Sequence, residues 1–427
     1  MRPEELYKYF LAVDGISTDT RTITSDCMFF ALKGPNFDAN QLAEEALKKG
    51  AKYAVMDNPK LITDSEKMLL VPDVLTALQG LASYHRHQIG LPIIALTGSN
   101  GKTTTKELIH AVLSKKYNTT ATVGNLNNHI GVPLTLLSIS EEADLAIVEM
   151  GANHQKEIEQ LCEITLPDYG YITNFGKAHL EGFGGVEGVI KGKSELYDYL
   201  RENHKTVFVN ADDTLQVEKS IGIDAVSFGI NNPSAKVIIK EATAQPMVKV
   251  VYKGKEIQSQ LTGKYNISNI CAAIAIGEYF GVAPEEIQSA IEEYKPKNNR
   301  SQWMTTTNNK LLLDAYNANP SSMAVAVENF AQLSADNKMM ILGDMFELGV
   351  ESENEHLLLV EKVKQTPLSC YFVGKQFYQI KQESENLQFF EDFDILKKYL
   401  ENEKTSGKTI LIKGSRGMSL ERLIDLL

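Results

Sequence analysis

The stretch Ile93-Ile-Ala-Leu-Thr-Gly-Ser-Asn-Gly-Lys-Thr-Thr104 decides how this chain folds. Its apolar start predicts a strand, Thr97-Gly98-Ser99-Asn100-Gly101-Lys102-Thr103-Thr104 predicts a tight loop, and a helical pattern opens directly afterwards. In that setting glycines let successive backbone N–H groups turn inward on an anion, and the helix start adds partial positive charge. Lys102 is then placed to neutralise the outer phosphates and the Thr103 hydroxyl to meet Mg²⁺. Gly98, Asn100, Gly101 and Thr104 complete the expected cradle. Leu96 stands where the strict GxxxxGK[ST] pattern has its first glycine, so the loop departs from that form. Its chemistry predicts ATP or GTP binding; the alternative is an ordinary glycine-rich strand–helix turn.

Outward from the loop the same rhythm repeats. Leu145-Ala-Ile-Val-Glu149, Gly170-Tyr-Ile-Thr173 and Thr206-Val-Phe-Val209 are continuously apolar up to their ends, as expected of parallel strands covered on both faces. Residues 237–261 alternate around Lys253-Gly254-Lys255 and predict a hairpin, followed by helices over 266–280 and 284–294. Upstream, short β-rich runs at 27–32, 53–56 and 68–71 alternate with helical patterns over 40–49 and 74–88, ending at Gln88-Ile-Gly-Leu-Pro92. Downstream of the polar linker Lys295–Arg300, strands at 311–314, 339–342, 370–373 and 409–412 alternate with helices. The expected fold class is α/β in three domains. These are a small N-terminal α/β module (1–90), a central P-loop parallel-sheet ATPase domain (91–298) and a C-terminal Rossmann-like domain (299–427).

Composition narrows the function. The chain has 427 residues, 43% hydrophobic and 23% charged, a balance that excludes a disordered chain. Lys and Arg number 43 against 55 Asp and Glu, a net charge of −12. That excess of acid argues against a nucleic-acid or anionic-membrane binder while leaving room for a local phosphate pocket. No apolar run approaches the roughly 20 residues that span a bilayer, and Met1-Arg2-Pro3-Glu4-Glu5 is no signal-peptide start. Cys27, Cys162, Cys271 and Cys370 lie far apart, as reduced core residues would. A soluble cytoplasmic protein, without nucleic-acid binding or membrane insertion, is expected.

A bound triphosphate needs metal ligands. Glu149 ends its strand where a neighbouring strand can hold Mg²⁺, a hard cation that prefers oxygen, although acids also end buried strands with no metal nearby. His179 is less clear from chemistry, since a lone histidine is commonly structural and imidazole is an unusual Mg²⁺ ligand.

Further motifs occur in a telling order: Asn125-Leu-Asn-Asn128 with Gly131-Val-Pro133, Glu149-Met-Gly-Ala152, Asn174 to His179, Asn266 to Asn269, and Asp314-Ala-Tyr-Asn-Ala-Asn-Pro320. Together with the phosphate loop they resemble the Mur ligases, ATP-dependent amide-forming enzymes of bacterial cell-wall synthesis. Tyr316 to Ser322, Gly343-Asp-Met-Phe-Glu-Leu-Gly349 and Lys413-Gly-Ser-Arg416 resemble the branch that joins D-alanyl-D-alanine to UDP-N-acetylmuramoyl-tripeptide. Asp19-Thr-Arg21 and Ala31-Leu-Lys-Gly34 resemble that branch's UDP-sugar module.

The resemblance implies roles. Lys102 and Thr103 would contact triphosphate and Mg²⁺, Glu149 a metal ion, and His179 a second Mg²⁺. Lys193 stands where the family carries a lysine carbamylated by CO₂, with Lys191 a competing candidate and a solvated helix lysine the plain alternative. Asn266 and Asn269, three apart on one helix face, resemble the pair that reads adenine, although Asn266 could equally cap the helix start. Arg300 and Asp314 resemble contacts to phosphate and ribose. Asn128, Tyr316, Asn317 and Asn319 would border the reacting groups. Lys413, Ser415 and Arg416 would lie on the dipeptide side, and Asp19, Thr20, Arg21 and Lys33 on the UDP-sugar side. Three departures stand out: Thr20 where serine is common, Asp38-Ala-Asn-Gln41 in place of Asp-Gly-His, and no glycine beside Arg300.

The resemblance therefore implies a monomeric ligase working through an acyl phosphate and releasing UDP-N-acetylmuramoyl-pentapeptide, ADP and phosphate. Its rivals are a same-fold ligase with another acceptor and an ATP-driven binding module. The Asp-Asn-Pro-Arg signature of the diaminopimelate-adding relative is absent.

Overall fold

In the computed structural model, which describes residues 1–296 and 299–427, continuous apolar runs become buried parallel strands. The expected Lys295–Arg300 linker lies partly outside the described residues, at Lys297 and Asn298. Three larger sheets form in chain order. The first has four parallel strands, Ile16–Ser17, Met28–Phe30, Tyr53–Met56 and Met68–Leu70, backed by helices Pro3–Phe10, Ala43–Lys48 and Val74–Ile89. The helix expected over 40–49 divides into a 3-10 turn at Ala39–Leu42 and the helix Ala43–Lys48.

In the second sheet the strand Ile93–Thr97 lies between Tyr169–Ile172 and Leu145–Glu149, all parallel. Thr206–Asn210 and Asp224–Ile230 extend it on one side, and Thr119–Ala121 closes the other. The chain leaves Ile93–Thr97 toward Leu145–Glu149 and later returns to the opposite side at Tyr169–Ile172. That reversal opens a crevice at the strands' carboxyl ends, where open α/β sheets bind ligands. Ile93 and Ala95 face one core with Leu78 and Leu81, while Ile94 and Leu96 face another with Leu108, Ile270 and Ile274. Each fully buried Leu or Ile contributes about 1.5–3 kcal/mol, so two covered faces account for the unbroken apolar run. The expected hairpin is present as Lys249–Tyr252 and Lys255–Gln258 around Lys253-Gly254, and a third strand, Val237–Thr243, joins it to the sheet.

The third sheet runs Gln302–Thr305, Lys310–Asp314, Thr409–Lys413, Lys338–Gly343, Ser369–Val373, Leu387–Phe390, with only Gln302–Thr305 antiparallel. Its C-terminal strand ends face the central crevice. Lys177 pairs with Glu355 at 2.5 Å, the Lys177 N–H donates to Ser321 Oγ at 2.8 Å, and the Trp303 indole donates to Thr262 Oγ1 at 2.8 Å. On the other side Arg86 reaches from the first unit to the Thr165 carbonyl at 2.9 Å and Asp168 at 2.8 Å. All four cysteines are free and buried. Among the described residues no helix is long and apolar enough to cross a membrane.

Candidate active site

A cavity of about 740 Å³ lies where the phosphate loop, the Asn125–His129 loop, the loop after Ile172 and the third unit converge. Two glycines make the phosphate loop possible. Gly98 has φ +141°, and a Cβ there would sit 2.0 Å from Thr173 Oγ1; Gly101 has φ +81°, and a Cβ would sit 2.7 Å from Asn269 Oδ1. Helix Lys102–Leu113 then starts with its free N–H groups at the cavity. The Lys102 ammonium donates to the Gly98 carbonyl at 2.8 Å. Desolvation lowers its pKa, with the Arg300 charge acting in the same sense and Glu149 opposing.

Thr103 and Glu149 meet, the hydroxyl donating to Glu149 Oε1 at 3.2 Å. Asn127 Nδ2 donates to the same oxygen at 2.8 Å. Glu149 is 1% exposed, and its Oε2 is buried without a hydrogen-bond partner among the described residues. A buried carboxylate oxygen with no donor is costly unless a cation meets it. This hydroxyl and carboxylate therefore fit Mg²⁺, which takes oxygen ligands from protein, water and phosphate.

His179 stands at the start of the short helix Leu180–Phe183 with φ +52°. Its Nδ1–H donates to Oε2 of Glu347, from the third unit, and this hydrogen bond lowers the Glu347 pKa. Burial separates the two candidate lysines on helix Val186–Glu202: Lys191 is exposed and Lys193 is 1% exposed. The Lys193 ammonium donates to the Ala152 carbonyl at 3.1 Å and lies 5.0 Å from the Phe183 ring centre. Desolvation, with the Lys102 charge adding to it, depresses its pKa well below the ordinary lysine value.

Asn266 and Asn269 are buried on helix Tyr265–Tyr279. Asn266 Nδ2 donates to the Thr262 carbonyl at 2.8 Å, and its Oδ1 accepts from Asn269 Nδ2 at 2.9 Å. Asn266 is thus no helix cap; it holds Asn269 against Gly101. Across the cavity the Arg300 guanidinium lies 3.6 Å over the Tyr316 ring, and its buried Nε has no hydrogen-bond partner among the described residues. On either side of Arg300, where no glycine stands, Asn299 and Ser301 adopt left-handed φ of +58° and +48°. Asp314 accepts from the Ser301 N–H at 3.1 Å and from Lys413 Nζ at 2.6 Å.

Other candidates are placed differently from the simplest expectation. Asn128 lines the cavity, but its Oδ1 accepts from the N–H groups of Ile130 and Gly131, so it shapes its own loop, while its neighbour Asn127 holds Glu149. Lys413 is 3% exposed and committed to Asp314 and the Asn317 carbonyl. Ser415 accepts from the Phe346 N–H at 2.9 Å, and Arg416 pairs with Glu421 at 2.9 Å on the surface; neither is among the cavity-lining residues. Asp19, Thr20, Arg21 and Lys33 also lie off the cavity wall. Asp19 caps the turn at 20–22 and pairs with Arg21 at 2.5 Å, while Lys33 pairs with Asp57 at 2.7 Å. Asn40, from the altered Asp38-Ala-Asn-Gln41 stretch, bridges Asp38 and Asp57 at 2.7 and 2.9 Å.

Residues 96–277 match the Mur ligase middle domain, and residues 299–416 match the Mur ligase, glutamate ligase domain. The chain is 36% identical to the UDP-N-acetylmuramoyl-tripeptide--D-alanyl-D-alanine ligase of Escherichia coli (strain K12), covering 99% of this chain and 95% of that one. The chain belongs to the Mur ligase family. The ligase of the same name from Bacillus subtilis (strain 168) is 33% identical over 96% of this chain and 92% of its own. A crystal structure of MurF from Acinetobacter baumannii superposes with a TM-score of 0.86 at 31% identity, covering 100% of this Mur ligase and 98% of that chain. MurF ligase from Thermotoga maritima, solved in complex with ADP, has a TM-score of 0.83 at 24% identity and shares the fold. The three-unit α/β architecture of this Mur ligase is thus shared at full length.

Two residues with clear contacts escape a reading of the sequence. Asn127 and Glu347 each sit in a quoted motif, yet both occupy irregular loops, where spacing does not say which side chain points inward. Asn127 stands beside an asparagine of identical chemistry, and Glu347 meets its partner 168 residues away.

Proposed function

We propose that this Mur ligase joins D-alanyl-D-alanine to UDP-N-acetylmuramoyl-tripeptide at the expense of ATP, giving UDP-N-acetylmuramoyl-pentapeptide, ADP and phosphate in peptidoglycan precursor synthesis. The observation that carries this reading is the cavity itself. It brings a phosphate loop and a paired hydroxyl and carboxylate against the Tyr316–Asn319 segment of the C-terminal unit. We read 1–90 as the UDP-sugar unit, 91–298 as the ATP unit and 299–427 as the unit that closes on both.

The tripeptide carboxylate attacks the γ-phosphorus of ATP, and the bond to the β–γ bridging oxygen breaks, releasing ADP. The neutral dipeptide amine then attacks the acyl carbonyl, and the tetrahedral adduct expels phosphate while the nitrogen gives up its surplus proton to solvent. An anion must approach an anion in the first step, so cations held in fixed positions lower the barrier. Lys102 faces the outer phosphates from the loop, and Arg300 faces them from the other lobe. Mg²⁺, held by Thr103 and Glu149, supplies charge neutralisation and orientation when bound. Asn266 and Asn269 take the adenine, and Asp314 the ribose. Tyr316, Asn317 and Asn319 line the side where the amine enters.

His179, on the cavity wall, and Lys193, buried behind Ala152 and not among the lining residues, are assigned to the second cation in this reading. A neutral Lys193 amine can add to CO₂, forming an N–C bond and releasing a proton, and the resulting carbamate offers oxygens to a cation. The burial and depressed pKa of Lys193 support that chemistry. A carbamate carbon signal after incubation with ¹³C-bicarbonate, absent in Lys193→Met, tests it.

The function is tested by incubating the protein with ATP, Mg²⁺, UDP-N-acetylmuramoyl-tripeptide carrying lysine or diaminopimelate, and a set of amine acceptors, and weighing the products. Mass gain from D-alanyl-D-alanine alone is expected. Preference for a single amino acid would overturn the acceptor assignment, and ATP hydrolysis without any new amide would overturn the ligase reading.

A further inference from the structure

The Asn174–Glu181 segment is gripped from both sides. From the phosphate loop, Ser99 Oγ donates to the Gly176 carbonyl at 2.7 Å and the Asn100 N–H donates to Asn174 Oδ1 at 3.1 Å. From the C-terminal unit, Ser321 accepts from the Lys177 N–H, Glu355 pairs with Lys177, and Glu347 takes both the His179 Nδ1–H and, through its carbonyl, the Glu181 N–H at 3.2 Å. His179 and Glu347 both hold left-handed backbones, φ +52° and +61°. Such a backbone is unfavourable for a non-glycine residue and persists where the surroundings impose it, commonly at functional sites.

The loop that carries Glu347 is itself braced. His356, fully buried, accepts from the Met345 N–H at 3.0 Å through Nε2, Ser415 accepts from the Phe346 N–H, and Asp344 accepts from the N–H groups of Gln376 and Phe377 at 3.0 and 3.1 Å. Three consecutive residues before Glu347 are therefore pinned, and its carboxylate is delivered to one place.

We propose that Glu347 is a positioning residue for the ligase reaction: by accepting the Nδ1–H of His179 across the interface between the central and C-terminal units it fixes that imidazole with its Nε2 lone pair turned to the cavity. An outer carboxylate commonly sets the tautomer and aim of a functional histidine in this way. Here the carboxylate belongs to the C-terminal unit, so the aim of His179 depends on how that unit sits against the central one. The inference rests on the function proposed above, but its first readout does not depend on turnover.

That readout is the ring ¹⁵N spectrum of histidine-labelled full-length enzyme in Mg²⁺-free buffer, His179 being assigned by its loss in His179→Gln. The Nδ1–H tautomer is expected in the wild type and in Glu347→Gln, which keeps an acceptor oxygen, and a tautomer mixture in Glu347→Ala. In the coupling assay Glu347→Ala is expected to lose about 10–100-fold in kcat with KM for ATP little changed, the range for removing such an outer partner, and Glu347→Gln to regain most of it. An unchanged His179 spectrum in Glu347→Ala, unchanged turnover, or equal impairment of the Gln and Ala variants would overturn the proposal. Failure of amide synthesis in the wild type with the expected tautomer present would overturn the function instead.

Discussion

Asn319 donates its side-chain amide to Oδ1 of Asn100 at 2.7 Å, so the C-terminal unit touches the phosphate loop directly. The same residue caps helix Pro320–Gln332, its Oδ1 accepting from the Ser322 N–H at 2.9 Å. One side chain thus starts a helix with one atom and closes the lobes with another. Asn319→Ser keeps a capping oxygen but is too short to reach Asn100. It is expected to melt near the wild type while losing up to about tenfold in kcat/KM for ATP, equivalent to one hydrogen bond. Asn319→Ala should show the same kinetic loss and, in addition, about 1 kcal/mol of stability by calorimetry.

Gly101 makes the second prediction. A methyl group there would press on Asn269 Oδ1 and occupy a left-handed backbone. Gly101→Ala is expected to weaken ATP binding about tenfold in titration calorimetry, matching a cost of about 1–2 kcal/mol. Unaltered ATP affinity would count against Gly101 and Asn269 as parts of the nucleotide site.

Glu149 tests the metal corner. Glu149→Gln keeps the oxygen that Thr103 and Asn127 donate to and removes a buried charge. In metal-free buffer it is expected to be as stable as the wild type or more so, since Oε2 is a buried carboxylate oxygen without a hydrogen-bond partner among the described residues. Its Mg²⁺ requirement in the coupling assay should rise about tenfold or more. A wild-type Mg²⁺ profile would show that the cation is held elsewhere.

Lys193 gives a pH dependence with a definite sign. Its folded pKa lies well below the ordinary value near 10.5, so between the two the unfolded chain binds the extra proton and stability rises with pH. Lys193→Met is therefore expected to melt higher than the wild type at pH 7 in CO₂-free buffer, with the gap narrowing as pH approaches 10. A gap independent of pH would mean the amine is not held neutral by the fold.

The phosphate loop and its setting could be read directly from residues 93–104, because glycine placement and a strand-to-helix change are local properties of the chain. So could the core strands at 145–149, 170–173 and 206–209, whose apolar runs report coverage on both faces. Edge strands escaped that reading. Thr119–Ala121, Gln302–Thr305 and Leu387–Phe390 are short or half exposed, and their partners rather than their own composition make them strands.

The amino-acid order alone determined the α/β class and the glycine-bearing strand–loop–helix that carries Lys102 and Thr103, since backbone preference and burial period act over a few residues. Tertiary structure decided the rest: that Lys193 is buried and Lys191 is not, that Lys413 is paired with Asp314, that Asn127 rather than Asn128 holds Glu149, and that Glu347 meets His179. Those choices depend on which distant segment arrives opposite a side chain, and no short-range pattern carries that information.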